Sequence, residues 1–245
     1  MTTPLPSHRR QRCASALALA CLTGALCASP AGALARRSAP STQRLAVLVS
    51  EHRVHSAPSA RSRVVETVGP RRPITGEQTV LPVLTRLIGR GGIPWLRVML
   101  PGRPNSSSGW IAQQGTRQAS TAWRIRVDLG RRRVHVYRHG RLVKDFAAVV
   151  GKPSTPTPTG SFFVEETLQM YSGEPGGPFA LALSARSDAL QEFEGGPGQI
   201  AIHGRDNLGG VLGQAESHGC MRLDTLSIDW LAARVGPGVP VSILS

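Results

Sequence analysis

Aromatic residues make up only 4% of this 245-residue chain, and beyond residue 35 a single cysteine is left, Cys220. So few rings leave no stacking platform for single-stranded nucleic acid, and one thiol cannot build an internal disulfide framework. There is no internal repeat and no long low-complexity tract. The apolar, Ala-rich run from Ala14 to Leu26 falls short of the ~20 residues that a helix needs to cross a bilayer.

The surroundings of that run give it another meaning. Arg9, Arg10 and Arg12 precede it, and Ala33-Leu34-Ala35 follows as a small-x-small cleavage site, the pattern of an export signal removed after Ala35. Retention as a membrane anchor is the alternative. Cys13, Cys21 and Cys27 all fall inside the signal, with no convincing lipobox before Cys21 or Cys27. The expected location is therefore the cell envelope, in a periplasm-like space or the wall. The formal charge is +14, and the signal holds three arginines and no acidic residue, which leaves +11 after processing. The charge lies mostly on arginines spread along the chain. It favours a polyanionic neighbour, and export makes acidic wall polymers the expected one, not nucleic acid. No stable membrane span is expected after processing.

The length allows one large or two small domains, each able to bury a core. Residues 36–43 are polar and read as a linker after the signal at 1–35. Residues 44–118 read as a small all-β module with strands at Leu45–Val49, Arg63–Val68, Thr79–Leu84, Trp95–Leu100 and Gly109–Ile111, separated by Gly- and Pro-bearing turns. The spacing resembles a bacterial SH3-like barrel. From Trp123 a second β region begins. Trp123, Ile125, Val127 and Leu129 alternate with polar residues, and Val134 and Val136 repeat the alternation after Gly130, which predicts a half-buried hairpin. Further strands are predicted over Leu142–Val150, Ser161–Glu165, Pro178–Ser184, Gln199–Ile202 and Val239–Leu244, with a helix from Thr225 to Arg234 capped by Asp224. The alternating prolines of Thr155-Pro156-Thr157-Pro158-Thr159-Gly160 fix φ and make that loop stiff. Residues 168–198, rich in Gly and Pro, read as a rim over a site. His52, His55, His135 and His139 read as surface residues, and Trp123 and Trp230 as core.

The chemistry concentrates in Ile202-His203-Gly204 and Ser217-His218-Gly219-Cys220-Met221-Arg222, with His203 seventeen positions before Cys220. A free thiol, with a pKa of about 8.5, is only a few per cent ionised at neutral pH. An imidazole beside it can take the proton as general base and return it to a leaving amine. No Asp or Glu is well placed to orient that imidazole, although Asp206 and Glu216 are near in sequence, so a backbone carbonyl is the expected partner. Gly219 removes a side chain where the backbone must approach a substrate carbonyl, and its amide and that of Cys220 are candidates for an oxyanion hole.

Ser217-His218-Gly219-Cys220 with the upstream His203-Gly204, together with the turn at Pro158–Gly160 leading into a strand, resembles the L,D-transpeptidase (YkuD-like) catalytic domain over about residues 122–244. The resemblance implies a mainly β fold, a β-sandwich with short helices. It implies that Cys220 is the nucleophile and His203 the proton donor and acceptor, oriented by the carbonyl of Gly204. It also implies that His218 shapes the oxyanion region, with Ser217 in support. Many members carry Asn where this chain has Arg222, so an Asn-specific hydrogen bond is not transferred; Arg222 is assigned to a substrate carboxylate. Tyr171 is a candidate lining residue of the substrate channel. The implied reaction is acyl transfer between peptidoglycan stem peptides, from a tetrapeptide donor to a side-chain amine, giving a 3→3 cross-link without metal or organic cofactor. Hydrolysis of the same thioester, as an L,D-carboxypeptidase, shares the first half-reaction. A zinc site built on His203, His218 and Cys220, a papain-like or sortase-like peptidase, and a catalytically silent wall-binding protein are the rival readings. The papain order, Cys before His, is reversed here, and sortases place their His much further upstream.

Overall fold

Seventeen strands and one α-helix make up the described residues of this computed structural model, which are 41–245 apart from Ser172 and Glu194. The export signal, its cysteines, the cleavage site and linker residues 36–40 lie outside the described residues. The chain is mainly β, as its alternating patterns lead one to expect.

The N-terminal module is formed by β1 (Gln43–Leu48), β2 (His52–His55), β3 (Val64–Val68), β4 (Val80–Ile88), β5 (Pro94–Met99), β6 (Ser108–Ala112) and β7 (Thr116–Thr121). They pair antiparallel throughout in the order β3-β2-β6-β5-β4-β1-β7. Leu48, Val54, Leu81, Val98 and Ile111 fill its core. Two strands have no counterpart in the sequence reading. β2, His-Arg-Val-His, has one apolar residue, and β7, Thr-Arg-Gln-Ala-Ser-Thr, is a polar edge strand that pairs with β1 along its whole length. The surface assignment of His52 and His55 is corrected: both are buried. β2 lies between β3 and β6, and backbone carbonyls of Ser50, Gln114 and Ser62 meet the two rings. His52 bonds the carbonyls of Ser50 and Gln114 at 2.9 Å each, and His55 bonds that of Ser62 at 3.1 Å while packing edge-on against Trp95. His135 is half-buried beside Asp145, and His139 is exposed at a turn.

The second module contains β8 (Trp123–Asp128), β9 (Arg133–Arg138), β10 (Arg141–Ala147), β11 (Val150–Gly151), β12 (Gly160–Gln169), β13 (Phe179–Arg186), β14 (Gln199–His203), β15 (Ala215–Ser217), β16 (Met221–Arg222), α1 (Thr225–Ala232) and β17 (Pro240–Leu244). Eight strands run in the order β10-β9-β8-β17-β12-β13-β14-β16, and β11 pairs separately with β15. The predicted hairpin is β8–β9, with Ile125 opposite Val136 and Val127 opposite Val134, all four fully buried. These meet Leu181, Leu183, Ile200, Ile202 and Met221 from the far half of the sheet in one core, so the sheet folds over on itself as a sandwich. α1 closes this core with Ile228 and Leu231, and its N-terminus is capped by Asp224, whose carboxylate accepts from the Ser227 amide at 2.9 Å. Trp123 and Trp230 are half-buried and meet edge to face against the same core.

β12 serves both modules. Its alternation sends Phe162 into the second core, while Phe163 enters the N-terminal one. One residue further along that second face, Glu165 is buried and ion-paired with Arg72 of the N-terminal module and with Arg186 of β13. Residues 41–245 belong to one compact unit, and this shared strand is the physical reason.

Candidate active site

β14 alternates Gln199, Ala201 and His203 on one face with fully buried Ile200 and Ile202 on the other. β16 runs parallel beside it, with Ile202 opposite Met221 and His203 opposite Arg222. Met221 joins the core, so Cys220 and Arg222 must face the same side as Ala201 and His203. The register puts Cys220 beside Ala201, one diagonal step from His203. The Ala201 amide donates to the Cys220 Sγ at 3.4 Å, and the carbonyl of Gln199 lies 3.9 Å from that sulfur.

His203 is held in one tautomer. Its Nδ1 lies 2.6 Å from the Gly204 carbonyl, and a carbonyl only accepts, so Nδ1 carries the proton and Nε2 the lone pair. Burial pushes the imidazole below its ordinary value of 6.5; the hydrogen bond to Gly204 opposes this and the positive charge of Arg222 adds to it. The ring is therefore neutral, and competent as a base, at neutral pH. Position 204 needs glycine because a Cβ there would run into the carbonyl of Gly177. A Cβ added at 176 would likewise meet the His203 ring, and the turn at 173–177 is tied back to 206–207, with the Gly176 amide donating to the Asp206 carbonyl at 2.8 Å and the Asn207 side chain to the Gly173 carbonyl. Asp206 and Glu216 are engaged elsewhere, by the Thr225 hydroxyl and the Val211 amide respectively.

The turn that presents the sulfur is braced from within and from the stiff Pro-Thr loop. The buried Ser217 hydroxyl donates to the Cys220 carbonyl at 2.6 Å and accepts from the Gly219 amide at 3.1 Å. The Gly219 N–H is thus engaged by Ser217. Gly219 has φ +122°, open to glycine alone. Thr157 donates to the Gly219 carbonyl at 2.7 Å and Thr155 to the Ser217 carbonyl at 3.2 Å. Two rigid hydroxyls below the turn fix where the sulfur stands.

His218 is exposed, with Phe193 stacked on its ring at 5.8 Å and Lys152 3.3 Å from its Nε2. An ammonium only donates, so Nε2 accepts and the His218 proton sits on Nδ1. Neither Lys152 nor Phe193 stands out in sequence. Lys152 lies in a loop sixty-six residues before His218, and Phe193 is a lone ring in a Gly-rich stretch. Arg222 donates to the Gly209 carbonyl at 2.8 Å and forms no ion pair among the described residues, so its charge is available to an incoming anion. Tyr171 is 86% exposed, on the 170–177 turn. Among the described residues, no group of three or more His, Cys, Asp or Glu is placed to hold a metal ion, and no helix is long and apolar enough to cross a membrane.

Residues 122–243 match the YkuD L,D-transpeptidase catalytic domain. A protein named L,D-transpeptidase YkuD from Bacillus licheniformis is 35% identical over 121 residues, covering 49% of this chain and 65% of the relative. Its namesake from Bacillus subtilis is 31% identical over 124 residues with the same coverage, 49% and 65%. The match thus spans just under two thirds of the length of both relatives. Among solved structures, L,D-transpeptidase 3 from Mycobacterium tuberculosis, in complex with a faropenem-derived adduct, is similar with TM-score 0.45 and 15% identity, covering 81% of this chain and 97% of that one. Residues 122–243 are a YkuD-type L,D-transpeptidase catalytic domain.

Proposed function

We propose that this protein is an exported L,D-transpeptidase that forms 3→3 cross-links between peptidoglycan stem peptides through a thioester on Cys220. The observation that carries the reading is the shared face of β14 and β16. Cys220 and His203 face the same side there, and the imidazole commits its Nδ1–H to the Gly204 carbonyl.

His203 Nε2 takes the thiol proton as Sγ attacks the carbonyl of the third stem residue. The resulting oxyanion is met by the Cys220 amide and by Nδ1–H of His218. When the C–N bond to the terminal D-Ala breaks, His203 returns the proton to the leaving amine and the thioester is left on the enzyme. A side-chain amine of a second stem then attacks the thioester, His203 removes its proton, and the sulfur leaves as the thiol. Water in place of that amine gives tripeptide. The test is incubation of residues 36–245 with disaccharide tetrapeptide. Cross-linked dimer with release of D-Ala is the expected product, tripeptide alone would make the protein a carboxypeptidase, and no reaction would remove the assignment.

Arg222 is assigned to a carboxylate of the donor stem. Because its charge also lowers the His203 pKa, Arg222→Met is expected to act twice. KM for the donor rises. The acid limb of kcat/KM, which reports the free base, moves to higher pH, since a less depressed imidazole protonates sooner as pH falls. Alkylation of Cys220 by a small neutral reagent persists. A pH–rate profile with unchanged limb and unchanged KM would contradict both roles.

The envelope location and an acidic wall polymer as neighbour belong to the same proposal. Residues 44–121 contain eleven arginines against three glutamates, a surplus suited to a polyanion. Binding of the protein to purified acidic wall polymer is expected to weaken steeply with salt; salt-insensitive binding, or none, would contradict it.

A further inference from the structure

Resting on the acyl-transfer reading of Cys220, we infer that Arg103 and Asn105, which belong to the N-terminal module, are positioning residues of the catalytic cleft. They fix segment 187–198 so that Phe193 is held against His218 as the wall on which the donor peptide lies.

The segment has little to hold it by itself. Between buried Ser187 and buried Gly198 nearly every described residue is exposed or half-buried, and Leu190 and Phe193 are its only large apolar side chains. A stretch of this kind opens locally at small cost unless something ties it down. The ties come from the loop between β5 and β6. Arg103 uses its planar fork on three carbonyls at once: Nη1 donates to Pro197 at 2.9 Å, and Nη2 to Ser187 at 2.7 Å and Leu190 at 3.3 Å. These carbonyls lie at both ends of the segment, so one side chain closes it into a loop. Asn105 anchors its base. The Asn105 Nδ2 donates to the Arg186 carbonyl at 2.8 Å and to the Asp188 carboxylate at 3.1 Å, and its Oδ1 accepts from the Arg186 amide at 2.8 Å. The Gly102 amide adds a bond to the Ser184 carbonyl at 3.1 Å. No other charged side chain of the N-terminal module makes a hydrogen bond to this segment among the described residues.

The consequence reaches the chemistry along the chain. At the tip of the loop Phe193 stacks on His218, two residues before the nucleophile, with ring planes 27° apart. Immediately after the loop come Gln199 and Ala201, whose backbone flanks the sulfur, and then His203. Pairing of β14 with β13 and β16 holds that strand independently. Loss of the Arg103 ties therefore loosens the Phe193–His218 wall and leaves the sulfur and its base in place. The N-terminal module is on this account a part of the donor site, and rigid attachment through Phe163 and the Arg72–Glu165–Arg186 cluster keeps it in register.

The test compares residues 36–245 with the same protein carrying Arg103→Ala or Asn105→Ala. Both changes lie at the surface loop, away from the two cores. For Arg103→Ala, hydrogen exchange is expected to quicken at amides 188–198 and not in β1–β5. KM for disaccharide tetrapeptide is expected to rise about tenfold with kcat within about threefold, and alkylation of Cys220 by iodoacetamide to keep its wild-type rate. Asn105→Ala should give the same pattern more weakly, because the Arg103 ties persist. Unchanged exchange in 188–198 overturns the inference, as does a fall in kcat and thiol alkylation in parallel, which would mark general damage. If wild-type protein forms no acyl-enzyme, the transpeptidase reading fails by itself. Exchange and the alkylation rate then still decide whether Arg103 holds the segment.

Discussion

Cys220→Ala is expected to leave a folded protein in which tetrapeptide turnover has dropped on the order of 10⁴-fold or more, to the detection limit. The residue before Met221 points away from the core, so removal of the sulfur opens no core cavity and the melting temperature should shift little. The braces of the turn, from Ser217, Thr155 and Thr157, act on backbone carbonyls and amides and survive the substitution. What is lost is the atom that bonds to substrate, and no other described cysteine is present to replace it. Circular dichroism with steady-state turnover checks both halves. Turnover near the wild-type rate in a folded Cys220→Ala protein would mean that the nucleophile has been misassigned.

His203→Ala should cost about 10²- to 10⁴-fold in kcat/KM at neutral pH, and it should do so in a way that depends on pH. In the wild-type protein the imidazole is neutral because burial depresses its pKa, so it accepts the thiol proton without first losing one of its own. Without it the thiol ionises only as pH approaches the free value of about 8.5. Acylation by a donor should therefore recover in part as pH is raised. Transfer to the acceptor amine should not recover in step, because that half-reaction also needs a group to remove the amine proton. Single-turnover acylation and dimer formation, each measured across pH, separate the two. Equal rates for variant and wild type near pH 7 would remove His203 from the mechanism.

Much of this arrangement could be read before the fold was known, and the reason is the range over which each signal acts. The hairpin at β8–β9, the strand that ends in His203 and the Asp224 cap are set by alternation and by side chains three residues apart, which a sequence displays directly. That His203 and Cys220 come to one face of neighbouring strands was legible because seventeen residues and a Gly-rich return leave the two few other places to go. β2 and β7 were not legible. Their polar residues satisfy hydrogen-bond partners that come from β3, β6 and β1, and the burial of His52 and His55 follows from the carbonyls of Ser50, Gln114 and Ser62. The partners of the site were hidden for the same reason. Lys152 reaches His218 across sixty-six positions and Arg103 reaches Pro197 across ninety-four, distances over which no local pattern informs.

Intact-protein mass spectrometry of residues 36–245, quenched at short times after mixing with disaccharide tetrapeptide, tests the central claim most directly. The expected result is an adduct on Cys220 equal in mass to the donor without its terminal D-Ala, appearing before any cross-linked dimer and decaying when acceptor is added. Release of D-Ala at a catalytic rate with no adduct on Cys220, or with the adduct on another residue, would contradict it.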